Sequence, residues 1–245
     1  GLLGPSLGAA GIFMIQATGL AIIGNKIDNI ATSHCTRIGG ADGGVISNNQ
    51  FSRPHLAANH CLTLRGFTPT PGTVFGGAWC QNVVISDNFI LSEMATGYML
   101  HIAPQNNGYA ERHRDIIVER NYLVSTSAST LFTEVIGTCT IRNNLFETDT
   151  GGFAIAVSAQ SDIDNGSPTD TRIYNNTGYK KSTGGYSFIQ ISTETNYTEG
   201  YSPPTAITGL DIRNNLAYAP NAASAKFVDV VGLTPSYRAA SSNNS

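Results

Sequence analysis

An asparagine recurs seven times along the chain, each time three residues after an isoleucine or a valine. The seven are Asn25, Asn49, Asn88, Asn121, Asn144, Asn176 and Asn215. The branched residues before them are Ile22, Ile46, Ile85, Val118, Ile141, Ile173 and Ile212. A motif that returns every 23 to 39 residues is the signature of a solenoid. Because its units read as short alternating strands, the sequence predicts an all-β parallel β-helix of about seven coils.

A second strand follows each asparagine at a nearly constant distance. Its inward apolar residue comes 13 to 15 positions later, at Ile38, Leu64, Ile102, Val135, Val157, Ile191 and Val228. From that residue to the next asparagine the separation varies between 9 and 24 residues. All the length variation therefore falls in one corner of the coil. Insertions confined to one face of a repeat protein often mark its binding face.

Composition and charge limit the classes of function. The 26 glycines and the 13% of charged residues suit tight turns, and the 41% of hydrophobic residues can fill a narrow core. The formal net charge of −3 gives no electrostatic footprint for nucleic acid. No apolar run reaches the roughly 18 residues of a membrane-spanning helix. We therefore expect neither a nucleic-acid partner nor membrane insertion.

The 245 residues are predicted to form one β-helix domain. Residues 1–19 read as an incomplete N-terminal coil or cap, residues 20–230 as the repeats, and residues 231–245 as a C-terminal tail. The first eleven residues are too apolar for an amphipathic capping helix, and an open strand edge recruits other chains. We expect either a longer natural chain or a neighbouring domain or subunit to cover this end.

One outward position of the second strand carries reactive side chains. Aligning the coils on their inward residues places Arg37, Thr63, His101, Glu134, Ala156 and Gln190 in one row. Neighbours in the row are expected about 5 Å apart. Arg65 occupies the next outward position and is expected to flank His101 diagonally. The row stands at the foot of the insertions, where Arg37, Arg65 and His101 are expected to be accessible, and is the candidate site, although an ordinary solvated strand face is also charged.

Two insertions beside this row carry side chains suited to a glycan. Residues 66–82 supply aromatic rings, which either stack on sugar rings or pack their own loop. Residues 104–115 supply amides, a phenol and charged groups. The candidate substrate-binding residues are Trp79, Phe75, Gln105, Asn106, Tyr109, Glu111, Arg112 and Glu134.

Histidines and cysteines recur at shared register positions, His34 with His60 and Cys35 with Cys61. Strict alternation predicts that the histidines point inward and the cysteines outward, but both lie near a corner of the coil, where the phase of alternation can slip. Stacked histidines are more often a hydrogen-bonded structural ladder than a catalytic pair. We expect free thiols, since directly stacked parallel positions suit a disulfide poorly. The sequence has no Cys-x-x-Cys or His-x-x-x-His pattern, so no zinc site is predicted.

Four segments carry a family resemblance: Ile46-Ser-Asn-Asn49-Gln-Phe51, Ile85-Ser-Asp-Asn88-Phe, Val118-Glu-Arg-Asn121-Tyr-Leu123 and Ile141-Arg-Asn-Asn144-Leu-Phe146. They resemble the repeats of the pectate-lyase-like superfamily, and the resemblance covers Leu20 to about Val230. It implies a single-stranded right-handed parallel β-helix with stacked asparagine and aliphatic ladders. For activity it implies less, since the superfamily includes polysaccharide lyases, glycoside hydrolases, uronan epimerases and viral tailspikes.

The row and the resemblance together favour a secreted polysaccharide lyase that cleaves an acidic, uronate-containing polysaccharide by β-elimination. This reaction needs a cation on the carboxylate, a base and an acid. Arg37 and Arg65 suit the first task, His101 the second, and Tyr109 or a water the third. Many lyases of this fold use a lysine or arginine base and bound calcium, so the resemblance admits calcium as a cofactor. Here the four lysines lie off the row.

Two other functions stay open. A non-catalytic glycan-binding module, or a tailspike-like or surface-structural β-helix, needs the aromatic rings and amides but no acid and base. A glycoside hydrolase needs a carboxylate pair, for which Glu134 with Glu111 is the candidate. The paired aspartates, Gly-His-Gly and Arg-x-Lys of related hydrolases are missing, and so is the Asp-Pro-His of related epimerases. All three functions imply a polysaccharide partner and an extracellular or cell-surface location.

Overall fold

The computed structural model describes residues 10–30, 33–54, 60–66, 79–93, 97–103, 113–126, 131–135, 137–150, 152–159, 170–193, 209–231 and 237–239. These residues form an all-β structure of 21 strands in two curled sheets, one of 14 strands and one of seven. Every strand pairing is parallel. No helix long and apolar enough to cross a membrane occurs in the described ranges.

The strands are short, apart from two of 12 residues. In chain order they are β1 (Ile12–Ile23), β2 (Lys26–Ile30), β3 (Thr36–Ser47), β4 (Gln50–Pro54), β5 (Leu62–Arg65), β6 (Cys80–Ser86), β7 (Phe89–Ser92), β8 (Tyr98–Ala103), β9 (His113–Glu119), β10 (Tyr122–Ser125), β11 (Leu131–Val135), β12 (Gly137–Arg142), β13 (Leu145–Thr148), β14 (Phe153–Ala159), β15 (Arg172–Tyr174), β16 (Thr177–Lys180), β17 (Tyr186–Thr193), β18 (Leu210–Arg213), β19 (Leu216–Tyr218), β20 (Ala225–Val231) and β21 (Tyr237–Ala239).

The chain repeats a set of three strands, and from β4 onward each strand pairs with the strand three places later. This defines three faces. The first face contains β6, β9, β12, β15, β18 and β21, the second contains β2, β4, β7, β10, β13, β16 and β19, and the third contains β5, β8, β11, β14, β17 and β20. β1 and β3 run from the third face into the first, which joins these two faces into one sheet. The arrangement is compatible with a parallel β-helix.

The predicted asparagine ladder is confirmed at the bend between the first and second faces. The Asn88 amide donates to Asn121 Oδ1 at 2.9 Å and to the Ile46 carbonyl at 2.9 Å. Asn121 Oδ1 also accepts the Asn88 backbone N–H at 3.0 Å. Equivalent amide-to-amide bonds of 2.9–3.1 Å join all seven asparagines. Each side chain thereby pairs backbone groups that cannot reach water.

A left-handed residue precedes every ladder asparagine and turns the chain. Its φ lies between +52° and +70° at Gly24, Asn48, Asp87, Arg120, Asn143, Asn175 and Asn214. Glycine, asparagine and aspartate tolerate this conformation better than other residues do. Arg120 is the exception in side-chain type, and ion pairs with Asp87 and Glu119 hold it in place.

The predicted aliphatic ladder is also confirmed. Its members are Cα partners on successive strands and are at most 4% exposed: Ile22, Ile46, Ile85, Val118, Ile141, Ile173 and Ile212. Buried apolar residues of the second and third faces, such as Phe51 and Leu64, belong to the same core. Val228 packs against this core as predicted, but the alignment of the last coil was wrong by two residues, because Val230 and not Val228 pairs with Ile191. These two valines have the same parity, so alternation alone could not choose between them.

The length variation falls in one corner, as the spacing predicts. The connection between the third and first faces has 14 residues from β5 to β6 and nine from β8 to β9. In contrast, β3 crosses the same corner as one continuous strand. We call this the insertion corner. The segments 67–78, 104–112, 160–169 and 194–208 lie outside the described residues. The strands on either side of these segments belong to the third and first faces.

Replacing Val118 by aspartate should destabilise the protein severely. Val118 has no exposed surface, so the carboxylate would be buried without a partner. We expect the free energy of unfolding in urea to fall by about 4 kcal/mol or more. Val45→Asp is the matched control, because Val45 is 39% exposed on the first face and should lose less than about 1 kcal/mol. Equal losses for the two variants would contradict the inward assignment of Val118.

Candidate functional site

The predicted outward row lies on the third face. Cα pairing joins Arg37 to Thr63, Thr63 to His101, and His101 to Glu134, and the row continues to Ala156 and Gln190. Arg65 pairs with Ala103 one register step beyond, so it lies diagonal to His101 as expected. The interval from each ladder asparagine therefore positioned the row correctly.

His101 is not accessible, and that expectation was wrong. Its side chain is 5% exposed, and Thr63 beside it is fully buried. The physical reason is a second row of rings next to the first: the His101 ring stacks on Tyr98 at 4.7 Å between centroids and lies 4.3 Å from the His60 ring. His101 Nδ1 is 3.2 Å from Thr63 Oγ1. Arg37 and Arg65 are half-buried.

The second row is a hydrogen-bonded ring stack at the corner between the second and third faces. The His34 and His60 rings stack at 4.8 Å, and His60 stacks on Tyr98 at 5.1 Å. The His60 backbone N–H donates to His34 Nδ1 at 2.8 Å, and the Tyr98 N–H donates to His60 Nδ1 at 2.9 Å. Each Nδ1 is thus an acceptor, which places the proton of the neutral ring on Nε2. The prediction of a structural histidine ladder is confirmed.

The direction of these side chains differs from strict alternation. His60 lies on the outward side with His101, whereas Cys35 and Cys61 point into the core. The Cys35 thiol donates to the Ser52 carbonyl at 3.3 Å, and the Cys61 thiol to the Leu91 carbonyl at 3.4 Å. The phase slips because the corner separates the outward residues by three positions instead of two. Both cysteines are free thiols, as expected.

The imidazole rings of the stack are uncharged, and the guanidinium groups of Arg37 and Arg65 make their surroundings positive. Burial, with the charges of Arg37 and Arg65, lowers the pKa of His34 to about 4. Burial also holds the pKa of His60 far below its usual value, with smaller contributions from neighbouring side chains. The pKa of His101 is well below 6.5, first because of burial and then because of Arg65. At neutral pH this region therefore combines two half-buried guanidinium groups with buried, uncharged imidazoles.

Most of the other predicted site residues cannot be placed beside this row. Trp79 donates from Nε1 to Gln81 Oε1 at 3.0 Å, and the Arg114 guanidinium lies 5.8 Å from its ring. These contacts are with the first face and agree with a ring that packs its own surroundings. The backbone of Glu134 pairs with His101 in the row, whereas its side chain lies outside the described part of the structure. The remainder lie outside the described residues: Phe75, Gln105, Asn106, Tyr109, Glu111 and Arg112.

Sequence reasoning missed Tyr98, which continues the stack of His34 and His60 and orients His101. The signal was present, because Tyr98 precedes Leu100 by two residues, as His60 precedes Leu62. It also missed a charge ladder on the first face, where Arg120 joins Asp87 and Glu119, and Arg142 joins Glu119. These groups are paired with each other and support the strands.

The row does not suit calcium. Calcium takes six to eight oxygen ligands. The row offers one carboxylate, that of Glu134, beside imidazole nitrogen and guanidinium groups, and the guanidinium groups repel cations. In the part of the chain that the structure describes, no group of three or more His, Cys, Asp or Glu side chains could hold a metal ion. The calcium suggested by family analogy therefore has no ligand set among the residues that the structure describes.

Comparison of the chain with protein-family models, with curated proteins and with solved structures finds no match.

The histidine stack should make stability depend on pH. As the pH falls, a histidine whose pKa in the folded state lies below 6.5 is protonated at a higher pH in the unfolded state than in the folded state. Its stabilisation is complete above pH 6.5 and is lost as the pH falls toward the folded value, about 4 for His34. Each such ring contributes a slope of up to about 1.4 kcal/mol per pH unit in this window.

The variant His34→Asn tests this directly, because asparagine keeps an acceptor near Nδ1 but does not titrate. The free energy of unfolding in urea would be measured between pH 7.5 and pH 5. In the variant it should fall less steeply with pH than in the unmodified protein, and the difference corresponds to the uptake of about one proton on unfolding. A slope identical to that of the unmodified protein would show that His34 is not held neutral.

Proposed function

We propose that the chain is a right-handed parallel β-helix of the pectate-lyase-like kind, and that it is a secreted lyase for a uronate-containing polysaccharide. The substrate lies on the third face beside the insertion corner. The observation that carries this proposal is the combination of Arg37, Arg65 and neutral His101 in one rigid array of strands. The positive charges of Arg37 and Arg65 beside the uncharged base His101 suit a substrate that carries a negative charge, such as a uronate.

The arginines would bind the substrate carboxylate. A guanidinium matches a carboxylate with two parallel hydrogen bonds, and Arg37 and Arg65 lie diagonally on neighbouring strands, since Arg65 pairs with Gly39, two residues beyond Arg37. Their charge also stabilises the carbanion-like transition state, because removal of the neighbouring C–H proton moves electrons toward the carboxylate. Binding and acceleration therefore use the same two side chains.

His101 would accept the proton through Nε2. This requires Nδ1–H to donate to Thr63 Oγ1, the atom that lies 3.2 Å away. Thr63 is then a positioning residue, and the Tyr98 ring fixes the plane of the imidazole. As the C–H electron pair forms the carbon–carbon double bond, the C–O bond to the leaving sugar breaks. Tyr109 or a water protonates the leaving oxygen, and the substrate carboxylate favours the resulting imidazolium.

A second candidate is a glycan-binding or structural β-helix without catalysis. The low exposure and the depressed pKa of His101 favour it, since both weaken the ring as a base. The ring stack also needs no reaction to explain it, because its Nδ1 atoms pair backbone donors. In this function Arg37 and Arg65 bind the acidic glycan and nothing is cleaved.

The test is incubation with a panel of uronate polysaccharides while the ultraviolet absorbance of the unsaturated product is recorded. We expect turnover by the unmodified protein and a loss of about 100-fold or more in kcat for His101→Gln, with glycan binding retained. Arg37→Ala should weaken both binding and turnover. Arg213→Ala is the control, because Arg213 lies on the first face beside Asp211 and should change neither.

The outcomes separate the candidates. Binding without turnover across the panel would favour the non-catalytic function. Reducing ends without the ultraviolet signal would indicate a hydrolase, with Glu134 and Glu111 as the first carboxylates to replace. Full activity of His101→Gln would refute the assignment of the base.

A further inference from the structure

A separate cavity of about 210 Å³ lies on the first face, at the start of β9, β12 and β15. Its polar lining consists of Asp115, Thr138, Thr140, Asp170 and Arg172. Ile117 supplies its apolar surface, whereas Ile116 and Cys139 line it from below and have side chains that belong to the core. The row of Arg37, Thr63 and His101 belongs to the third face, so this cavity is a different site.

The cavity coincides with a β-bulge. Gly137 pairs with His113 and Cys139 pairs with Ile116, so Arg114 and Asp115 together oppose the single residue Thr138. Bulges re-aim side chains and are enriched beside active sites. Here the bulge leaves a recess between β9 and β15, with the two threonines of β12 between its acidic rims.

The backbone does not require carboxylates at these rims. Asp115 and Asp170 have φ values of +52° and +58°, and both lie where a strand enters the first face. Gly43, Asn82 and Gly209 occupy the corresponding positions on other strands of the first face, and they also have positive φ values. Glycine and asparagine therefore serve the turn equally well. The negative charge at Asp115 and Asp170 is an addition that the fold leaves unexplained.

The lining chemistry selects a small polyol with a positive charge. Ionised carboxylates only accept hydrogen bonds, so Asp115 and Asp170 suit hydroxyl and ammonium donors. Two carboxylates against the one guanidinium of Arg172 leave the cavity with a net negative charge. Its volume is below the roughly 300–1,000 Å³ of sites for larger ligands, which limits the occupant to about one ring. The partly exposed side chain of Ile117 can contact the C–H face of a sugar.

We propose that this cavity binds a single amino-sugar ring. The ammonium group pairs with one rim carboxylate, and ring hydroxyls bond to the other carboxylate, Thr138, Thr140 and Arg172, because β12 separates the two aspartates. The site therefore prefers the opposite charge from the third face, where the two arginines favour uronate. This inference does not rest on the lyase activity, and it holds equally for a non-catalytic glycan-binding protein.

The experiment is calorimetric titration of the protein with glucosamine, glucose and glucuronate. We expect glucosamine to bind most tightly, glucose more weakly and glucuronate not measurably. Asp115→Asn and Asp170→Asn should each weaken glucosamine binding by about tenfold, since asparagine keeps the left-handed turn and removes the charge. Asp42→Asn is the matched control, because Asp42 lies on the same sheet outside the cavity and accepts from Asn82.

A second variant covers any effect of the aspartates on folding. Thr140→Phe fills the recess, leaves both carboxylates in place and should abolish glucosamine binding. Arg37→Ala, on the other face, should leave glucosamine binding unchanged and so separates this site from the lyase site. Absence of glucosamine binding, equal binding of glucuronate, or binding unaffected by the aspartate variants would overturn the proposal.

Discussion

The amide ladder of the seven asparagines is the interaction on which the rest of the structure depends. From Asn49 onward, each Oδ1 accepts both the amide and the backbone N–H of the asparagine in the preceding coil, as Asn144 does for Asn121. Each amide also bonds a strand carbonyl, as Asn144 does with Val118. These contacts pair the polar backbone of a buried bend, where an unpaired group costs about 1–3 kcal/mol. The bend therefore keeps one geometry in every coil.

Because this bend has the same geometry in every coil, differences in coil length occur at another corner. Coils of different length can stack only if the additional residues leave the coil, and they do so between the third and first faces. The candidate row of Arg37, Thr63 and His101 lies beside that corner on strands whose register is already set. The amino-sugar cavity opens at the same corner, where β9 has one more residue than β12. Both proposed sites thus follow from the same constraint.

The sequence predicted those features that depend on intervals between residues. The asparagine ladder, the aliphatic ladder and the Cα partners of His101 all follow from counting. Burial of His101 did not, because it depends on rings such as Tyr98 that pack against it from a neighbouring row. The inward direction of Cys35 was hidden by a phase slip at a corner, where a period of two no longer applies.

The function had a weaker basis in the sequence than the fold did. A row of Arg, Thr and His side chains is compatible with catalysis and with glycan binding, since each needs the same charges on the same strands. The bulge opposite Thr138 was also hidden, because one residue fewer in β12 cannot be distinguished from ordinary variation at the insertion corner. Geometry at corners is decided by packing and φ values, which a repeat interval does not record.

A double-mutant cycle between neighbouring ladder asparagines tests the central claim most directly. The free energy of unfolding would be measured for Asn88→Ala, Asn121→Ala and the double variant, and in parallel for the distant pair Asn49 and Asn176. The ladder predicts a coupling of about 1 kcal/mol or more for the adjacent pair and near additivity for the distant pair. Additive losses for Asn88 and Asn121 would show that the stacked amides do not join the coils.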